Sequence, residues 1–393
     1  MRAVVVGAGI GGLTAALMLR RAGLAVTVVE QAPALREVGA GIQLAPNATR
    51  LLRRLGVGDA LERVAVRPAA IEHRRWQDGR VLLRTLLGET CERRFGAPYY
   101  HVYRPHLLDL LARALPDDAV QLGRCCAAII QHADSVTVVF EDGTTASADL
   151  VVGADGIHST LRAALHGRES PWFSGSIAYR GLVPAERIAH LDIARQSHSW
   201  LGPERHFVCY WVAAGRYLNF VAVVPARDWR VESWSATGDV AEAVADFEGW
   251  DKTVPAIIGA AERTHRWGLY DREPLESWSA GRVALLGDAA HAMLPFLAQG
   301  ACQAIEDAAV LARCLQGIAP AAVPEALRRY EAIRKPRVWQ VQRASRDNVV
   351  TYHLPDGQAQ RERDARYAAS MAASPWGARA WIYEYDAEEA ASP

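Results

Sequence analysis

The chain has 393 residues, 50% of them hydrophobic, and its 44 basic residues balance 44 acidic ones. A chain of this length can bury a large core and a cofactor-sized cleft in two or three domains, whereas zero net charge without a Lys/Arg block argues against nucleic acid. The six cysteines show no CxxC pairing, metal-ligand spacing or disulfide framework, and no run of about 18 apolar residues or cleavable leader stands out, so a soluble, cytoplasmic, metal-free protein with no membrane partner is expected.

In chain order, Ala3 to Val6 reads as an apolar strand. Gly7-Ala8-Gly9-Ile10-Gly11-Gly12 reads as a glycine turn, the residues through Arg21 as a helix, and Ala25 to Glu30 as a second strand. This is the start of a βαβ unit. Its glycines permit a tight turn and close approach of backbone N–H groups to a pyrophosphate, which the positive end of the helix also favours. Glu30 closes the second strand, where a carboxylate accepts hydrogen bonds from a ribose and repels a 2′-phosphate. An ADP moiety with a free ribose is implied, in either FAD or NAD.

Further along, Arg104 precedes a helix-like stretch from Leu107 to Ala114, so its guanidinium is either a bidentate pyrophosphate ligand or a solvated surface group. From about Ile177 to Val224 the pattern becomes period-two runs with Gly turns, which predicts an antiparallel sheet. Within it, His206, Val208, Tyr210 and Val212 share one strand face, and Phe207, Cys209 and Trp211 the other. A turn at Ala214-Gly215 sets Tyr210 opposite Asn219 and Val212 opposite Tyr217.

The chain then returns to a strand, Val283 to Leu286, which ends at Asp288. Ligands of open α/β folds bind at the carboxyl ends of strands, although Asp before Ala-Ala is also a local cap. Pro295-Phe296-Leu297-Ala298-Gln299-Gly300 leads into an apolar helix from about Cys302 to Leu315, whose N–H groups aim back along that loop. Charged helical segments follow to the end.

Val151-Val152-Gly153-Ala154-Asp155-Gly156 with Ser159 and Arg162, and Arg282 through Gly287-Asp288-Ala289-Ala290-His291, resemble the second and third fingerprints of single-component FAD-dependent aromatic hydroxylases. Supporting stretches are Glu37 to Gln43, Tyr103 to Leu107, Tyr179-Arg180-Gly181 and Trp267 to Arg272. The chain is most similar to the salicylate hydroxylase, 3-hydroxybenzoate 6-hydroxylase and 6-hydroxynicotinate 3-monooxygenase group.

This resemblance implies an α/β fold: a Rossmann-like FAD-binding domain of the para-hydroxybenzoate hydroxylase type, an antiparallel-sheet substrate domain and C-terminal helices. The corresponding segments are 1–70, 97–168 and 270–320 for the FAD domain, 71–96 and 169–269 for the sheet domain, and 321–393 for the helices. It also implies FAD contacts from Gly7, Gly9, Ile10, Gly11, Gly12, Glu30, Gln31, Gly41, Gln43, Arg104, Asp155, Asp288, Gly300 and Ala301. Pro295 and Gln299 would lie at the reactive edge of the flavin, with His206 and Tyr210 on the substrate hydroxyl.

The reaction implied is reduction of the flavin by NAD(P)H, with NADH the expected form, capture of O₂ as a C4a-hydroperoxide and transfer of the distal oxygen to a small hydroxylated aromatic acid. A group that takes the phenolic proton assists, since a phenolate is the better nucleophile. A hydroxypyridine carboxylate and a larger phenolic or polyketide-like ring are alternative substrates. Of the rival functions, a halogenase lacks its Trp-x-Trp-x-Ile-Pro segment here, an oxidase would not consume NAD(P)H, and a non-catalytic FAD-binding protein would show no substrate-stimulated NAD(P)H oxidation. The substrate carboxylate has no firm anchor, Arg180 and Arg205 both being open to the role. Trp211, Trp229, Trp234 and Trp267 read as core or domain-contact residues, and Trp381 to Asp386 as packing on the flavin domain or on a second subunit of a homodimer.

Overall fold

The computed structural model describes residues 1–35, 40–226 and 237–392. Glu37 to Gly39 of the supporting stretch, and Trp229 and Trp234, lie outside the described residues.

One six-stranded sheet runs in the order Ser279–Ala280, Val283–Leu285, Leu150–Gly153, Arg2–Val6, Ala25–Glu30, Val120–Leu122. Its pairs are parallel except where Ser279–Ala280 folds back on Val283–Leu285. Strands covered on both faces read as unbroken apolar runs, and Val5, Val28, Leu150 to Val152 and Val283 to Leu285 are wholly buried. Helix Ile10–Arg21 packs against helix Gly300–Leu315, which in turn packs against the long helix Val323–Tyr352. Gly12 makes the first turn of that packing possible, because a Cβ there would fall 1.9 Å from the Gly7 carbonyl oxygen.

An eight-stranded sheet runs Thr237–Gly238, Thr264–Asp271, Trp172–Pro184, Tyr217–Pro225, Arg205–Val212, Ser197–Gly202, Ala70–Arg75, Val81–Leu86. The register places Tyr210 opposite Asn219 and Val212 opposite Tyr217, as the alternation predicts. The link between these strands is a short helical turn, with Ala213 and Ala214 both at positive φ beside Gly215. The sheet departs from the all-antiparallel expectation at one join, where Ser197–Gly202 lies parallel to Ala70–Arg75. That join is possible because the Ala70–Leu86 hairpin comes from far upstream, and a long connection imposes no antiparallel return.

A small three-stranded sheet, Cys126–Gln131, Val136–Phe140 and Thr145–Ala148, and a two-stranded one, Gly41–Leu44 with Tyr100–Tyr103, complete the β structure among the described residues. The C-terminal segment returns to the first sheet: Ile382 and Tyr383 join its hydrophobic core, and Asp386 pairs with Arg50 and Arg54. Its packing partner is therefore the N-terminal region of the same chain. A third, smaller core of Ala178, Leu201, Val223, Trp267, Leu269, Leu294, Phe296 and Tyr352 binds the large sheet to the 292–299 loop and the end of the long helix. The main cavity opens beside it.

Candidate active site

The glycine turn sits at the carboxyl end of the first strand, with Gly7 at φ +104°. Glu30 is fixed beside it: one carboxylate oxygen accepts the Ala8 N–H at 2.8 Å, the other the Ala32 N–H at 2.9 Å. Each oxygen keeps a lone pair for a further donor. Gln31 is exposed next to Glu30. The Asp155 carboxylate accepts from the Ser159 hydroxyl (2.6 Å) and from the backbone N–H groups of Thr160 (2.8 Å) and Leu161 (3.2 Å). It thereby takes the first two N–H groups of helix Thr160–His166, whose N-cap Ser159 accepts the Arg162 N–H, and burial pushes the Asp155 carboxyl above the ordinary range against those bonds. Its neighbours Ala154 and Gly156 line the cavity instead.

A cavity of about 370 Å³ brings together Gly9, Ile10, Gly11, Gly41, Gln43, Arg104, Asp288, Pro295, Gln299, Gly300 and Ala301 with His206 and Tyr210. Gly7, Gly12, Glu30, Gln31 and Asp155 stand outside this lining. Arg104 begins helix Arg104–Arg113, its N–H donating to Ala40 O at 2.9 Å. Asp288 is exposed between buried neighbours and also faces a smaller cavity of about 120 Å³, shared with Arg180, Met293 and Pro295. Pro295 opens a tight turn held by the Ala298 N–H to Pro295 O bond of 3.0 Å, with Ala298 in the left-handed region at φ 54°. The following helix begins at Gly300, two residues ahead of the sequence-based start.

A buried polar network holds this loop from behind. The Gln299 side-chain oxygen accepts from Asn47 (3.0 Å), which also donates to Glu306 (2.6 Å). Arg334, wholly buried, bonds Glu306 at 2.6 Å and Asp307 at 2.8 Å. Asp307 in turn accepts the Gly287 N–H (2.9 Å) and contacts His291 (2.6 Å). The two turns flanking Asp288 and Gln299 are thus fixed by one set of charges.

Opposite the loop, His206, Val208 and Tyr210 form a wall with Val221, Val223, Ser197, Ser199, Ile71 and His73, while Phe207 and Cys209 point into the core behind. Gly41 approaches this wall so closely that a Cβ would lie 2.7 Å from Tyr210 Cε2 and from Asn219 Cγ, and its N–H donates to Asn219 Oδ1 at 2.7 Å. Burial raises the Tyr210 phenol, against an opposing pull from Arg180. Burial likewise drives His206 well below its ordinary value, helped by His353 and His73. His206 Nδ1 lies 2.7 Å from His353 Nε2, with the rings stacked at 5.0 Å, and burial brings His353 down to about 4.

Of the two arginines left open for the carboxylate, Arg205 turns away, 3.9 Å from the Asp246 carboxylate. Arg180 lines both cavities, its guanidinium carbon 3.4 Å from the centroid of Trp267, and burial lowers it to about 9. Sequence reasoning missed His73, Ser197, Ser199, Tyr352, His353 and Arg379. The alternation of Ser197 and Ser199 was a usable strand signal; His73, Tyr352 and Arg379 reach the cavity, and His353 reaches His206 behind it, only through long-range packing.

The family described as FAD binding domain matches residues 1–345, and the chain belongs to it. It is 48% identical over 386 residues to a 3-amino-4-hydroxybenzoate 2-monooxygenase of Streptomyces platensis, covering 98% of this chain and 96% of that protein. It is 39% identical over 350 residues to a 6-hydroxynicotinate 3-monooxygenase of Pseudomonas fluorescens, covering 88% and 91%. A solved salicylate hydroxylase in complex with substrate superposes with a TM-score of 0.85 at 28% identity, covering 100% of this chain and 97% of the other. The protein is therefore a flavoenzyme, an FAD-dependent monooxygenase of aromatic rings that consumes NAD(P)H and O₂. The residues present suit FAD: a glycine cradle with an acid at the next strand end, an open carboxylate at Asp288, and a helix N-terminus at Gly300 facing one cavity.

Proposed function

We propose that the substrate is a small hydroxylated aromatic acid, and specifically an aminohydroxybenzoate such as 3-amino-4-hydroxybenzoate. The observation that carries this reading is the single cavity in which His206 and Tyr210 face the Asp288 to Gly300 loop. The relative of 48% identity over nearly the whole chain supports the choice of ring. A hydroxypyridine carboxylate is the second reading, favoured by the relative that acts on 6-hydroxynicotinate.

In this proposal Glu30 accepts from the adenosine ribose, Arg104 pairs with the pyrophosphate and Asp288 accepts from the ribityl chain. Gly9 to Gly12, Gly41, Gln43, Gly300 and Ala301 shape the cofactor bed. Bound FAD supplies the redox chemistry with NADH and O₂. The protein contributes position and hydrogen bonds. Tyr210 orients the ring hydroxyl. His206 stays neutral at working pH because burial opposes its charge, so it offers the ring hydroxyl a hydrogen-bond acceptor, with His353 bonded behind it. The aliphatic wall of Ile71, Val208, Val221 and Val223 excludes water. The reading extends to a cofactor region of 1–70, 97–168 and 270–320, a cytoplasmic location and a homodimer.

The test is a panel of 3-amino-4-hydroxybenzoate, 4-hydroxybenzoate, 3-hydroxybenzoate, salicylate and 6-hydroxynicotinate, with NADH oxidation and hydroxylated product both quantified. The aminohydroxybenzoate should show the highest kcat/KM with product matching NADH consumed. NADH oxidation without product from every acid, or a clear preference for the pyridine, removes the first assignment.

A further inference from the structure

Arg379 lies on the short turn Gly377–Arg379 between the last long helix and the C-terminus, far in sequence from every motif of the cofactor site. It is half-buried and lines the main cavity together with His73 and Tyr352. Its charged neighbours decide what it is for. Burial pulls its pKa down, yet the phenols Tyr383, Tyr352 and Tyr99, not carboxylates, hold it above the ordinary value, Tyr383 and Tyr352 also through side-chain hydrogen bonds. Those phenols are themselves buried, Tyr383 being pushed up to about 12 and Tyr99 and Tyr352 raised as well. At neutral pH they are uncharged. Among the described residues no Asp or Glu forms an ion pair with Arg379.

A guanidinium never sheds its proton under ordinary conditions, and a desolvated charge without a counter-charge is costly. The cavity therefore holds a fixed cation that lacks its anion. Arg180, the other candidate, differs in two respects. Its charge rests on the Trp267 ring, and it sits at the Asp288 and Pro295 side, where the two cavities meet. Arg379 lines the main cavity and not the smaller one, and Tyr99 is within electrostatic reach of both Arg379 and Tyr210.

We propose that Arg379 binds the carboxylate of the aromatic acid, making the C-terminal turn part of the substrate site. The inference rests on the aromatic-acid reading given above. It assigns the acid group to the planar fork of one guanidinium, which pairs with a carboxylate in a bidentate way, while the ring hydroxyl meets Tyr210 and His206. The C-terminal segment is then what selects acids over neutral phenols.

The experiment titrates the FAD-loaded enzyme with 3-amino-4-hydroxybenzoate, its carboxamide and unsubstituted benzoate, following the flavin absorbance change. Arg379→Gln should weaken the acid by about 10- to 100-fold, the loss expected for a charge-assisted hydrogen bond, and the carboxamide far less, so that the preference for acid collapses. Arg379→Lys should recover part of the acid affinity. Equal affinity of the parent and Arg379→Gln for the acid overturns the anchor and leaves the substrate reading intact. Equal losses of acid and carboxamide overturn it too, since they mark a purely structural role. Should the substituted acid fail to bind the parent while benzoate binds and depends on Arg379, the substrate reading falls and the anchor stands. Failure of all carboxylates to bind the parent overturns both.

Discussion

His206 and Tyr210 share a strand face, yet their surroundings give them different work. Tyr210 packs its ring against His101 at 4.6 Å between centroids, and Gly41 leaves room for it. His206 has a second imidazole bonded to it and Phe296 against its ring. His206→Asn should lower product formation by about 10- to 100-fold, the scale of a lost buried hydrogen bond, with FAD content unchanged. Coupled turnover equal to the parent would show that the ring hydroxyl does not depend on His206. Asp288 offers the complementary case: Asp288→Ala should purify with little FAD, read from the ratio of flavin to protein absorbance, and full occupancy at normal affinity removes its cofactor role. Both strand residues were legible in sequence because alternation is local. His353 and Arg379 were not, since nothing near them in the chain points to a strand residue, His206, that lies well over a hundred residues upstream.

At the scale of elements, helix Gly300–Leu315 carries the load of the site. Its buried acids Glu306 and Asp307 are matched by Arg334 on the long helix, and the same acids fix Gln299 through Asn47 and the 287 turn through its N–H. Arg334→Leu leaves these acids short of a partner in the core. The expected cost is about 3–5 kcal/mol, seen as a lower melting temperature and weaker FAD retention together. A stable, fully flavinated Arg334→Leu protein would show that the loop does not depend on these charges. The βαβ start, the paired strands around Ala213 and the apolar helix were readable from period and glycine placement. The parallel join of Ser197–Gly202 to Ala70–Arg75 was not, because strand neighbours far apart in the chain leave no local pattern.

For the molecule as a whole, three imidazoles besides His206 are folded away as neutral groups. Burial lowers His73 and His101 to about 3 and His353 to about 4, from an ordinary 6.5. Between those values the unfolded chain binds protons that the folded chain refuses, so stability falls as pH drops below 6.5 and the loss is complete only below the folded values. At pH 5 His73 and His101 each account for about 2 kcal/mol of this loss. The melting temperature should therefore decline steadily from pH 7 to pH 5. His101→Leu should flatten the decline, as both ring nitrogens of His101 lack hydrogen-bond partners. An unchanged melting temperature across that range would mean that these rings are not held neutral.

Among the described residues every strand of both large sheets is complete by Leu285, while Tyr352, His353 and Arg379 come after the start of the long helix at Val323. During synthesis the ribosome therefore delivers the nucleotide cradle early and the far wall of the ring cavity last. A chain released early would own the glycine turn and the Glu30 strand but could neither enclose an aromatic guest nor seal it from water.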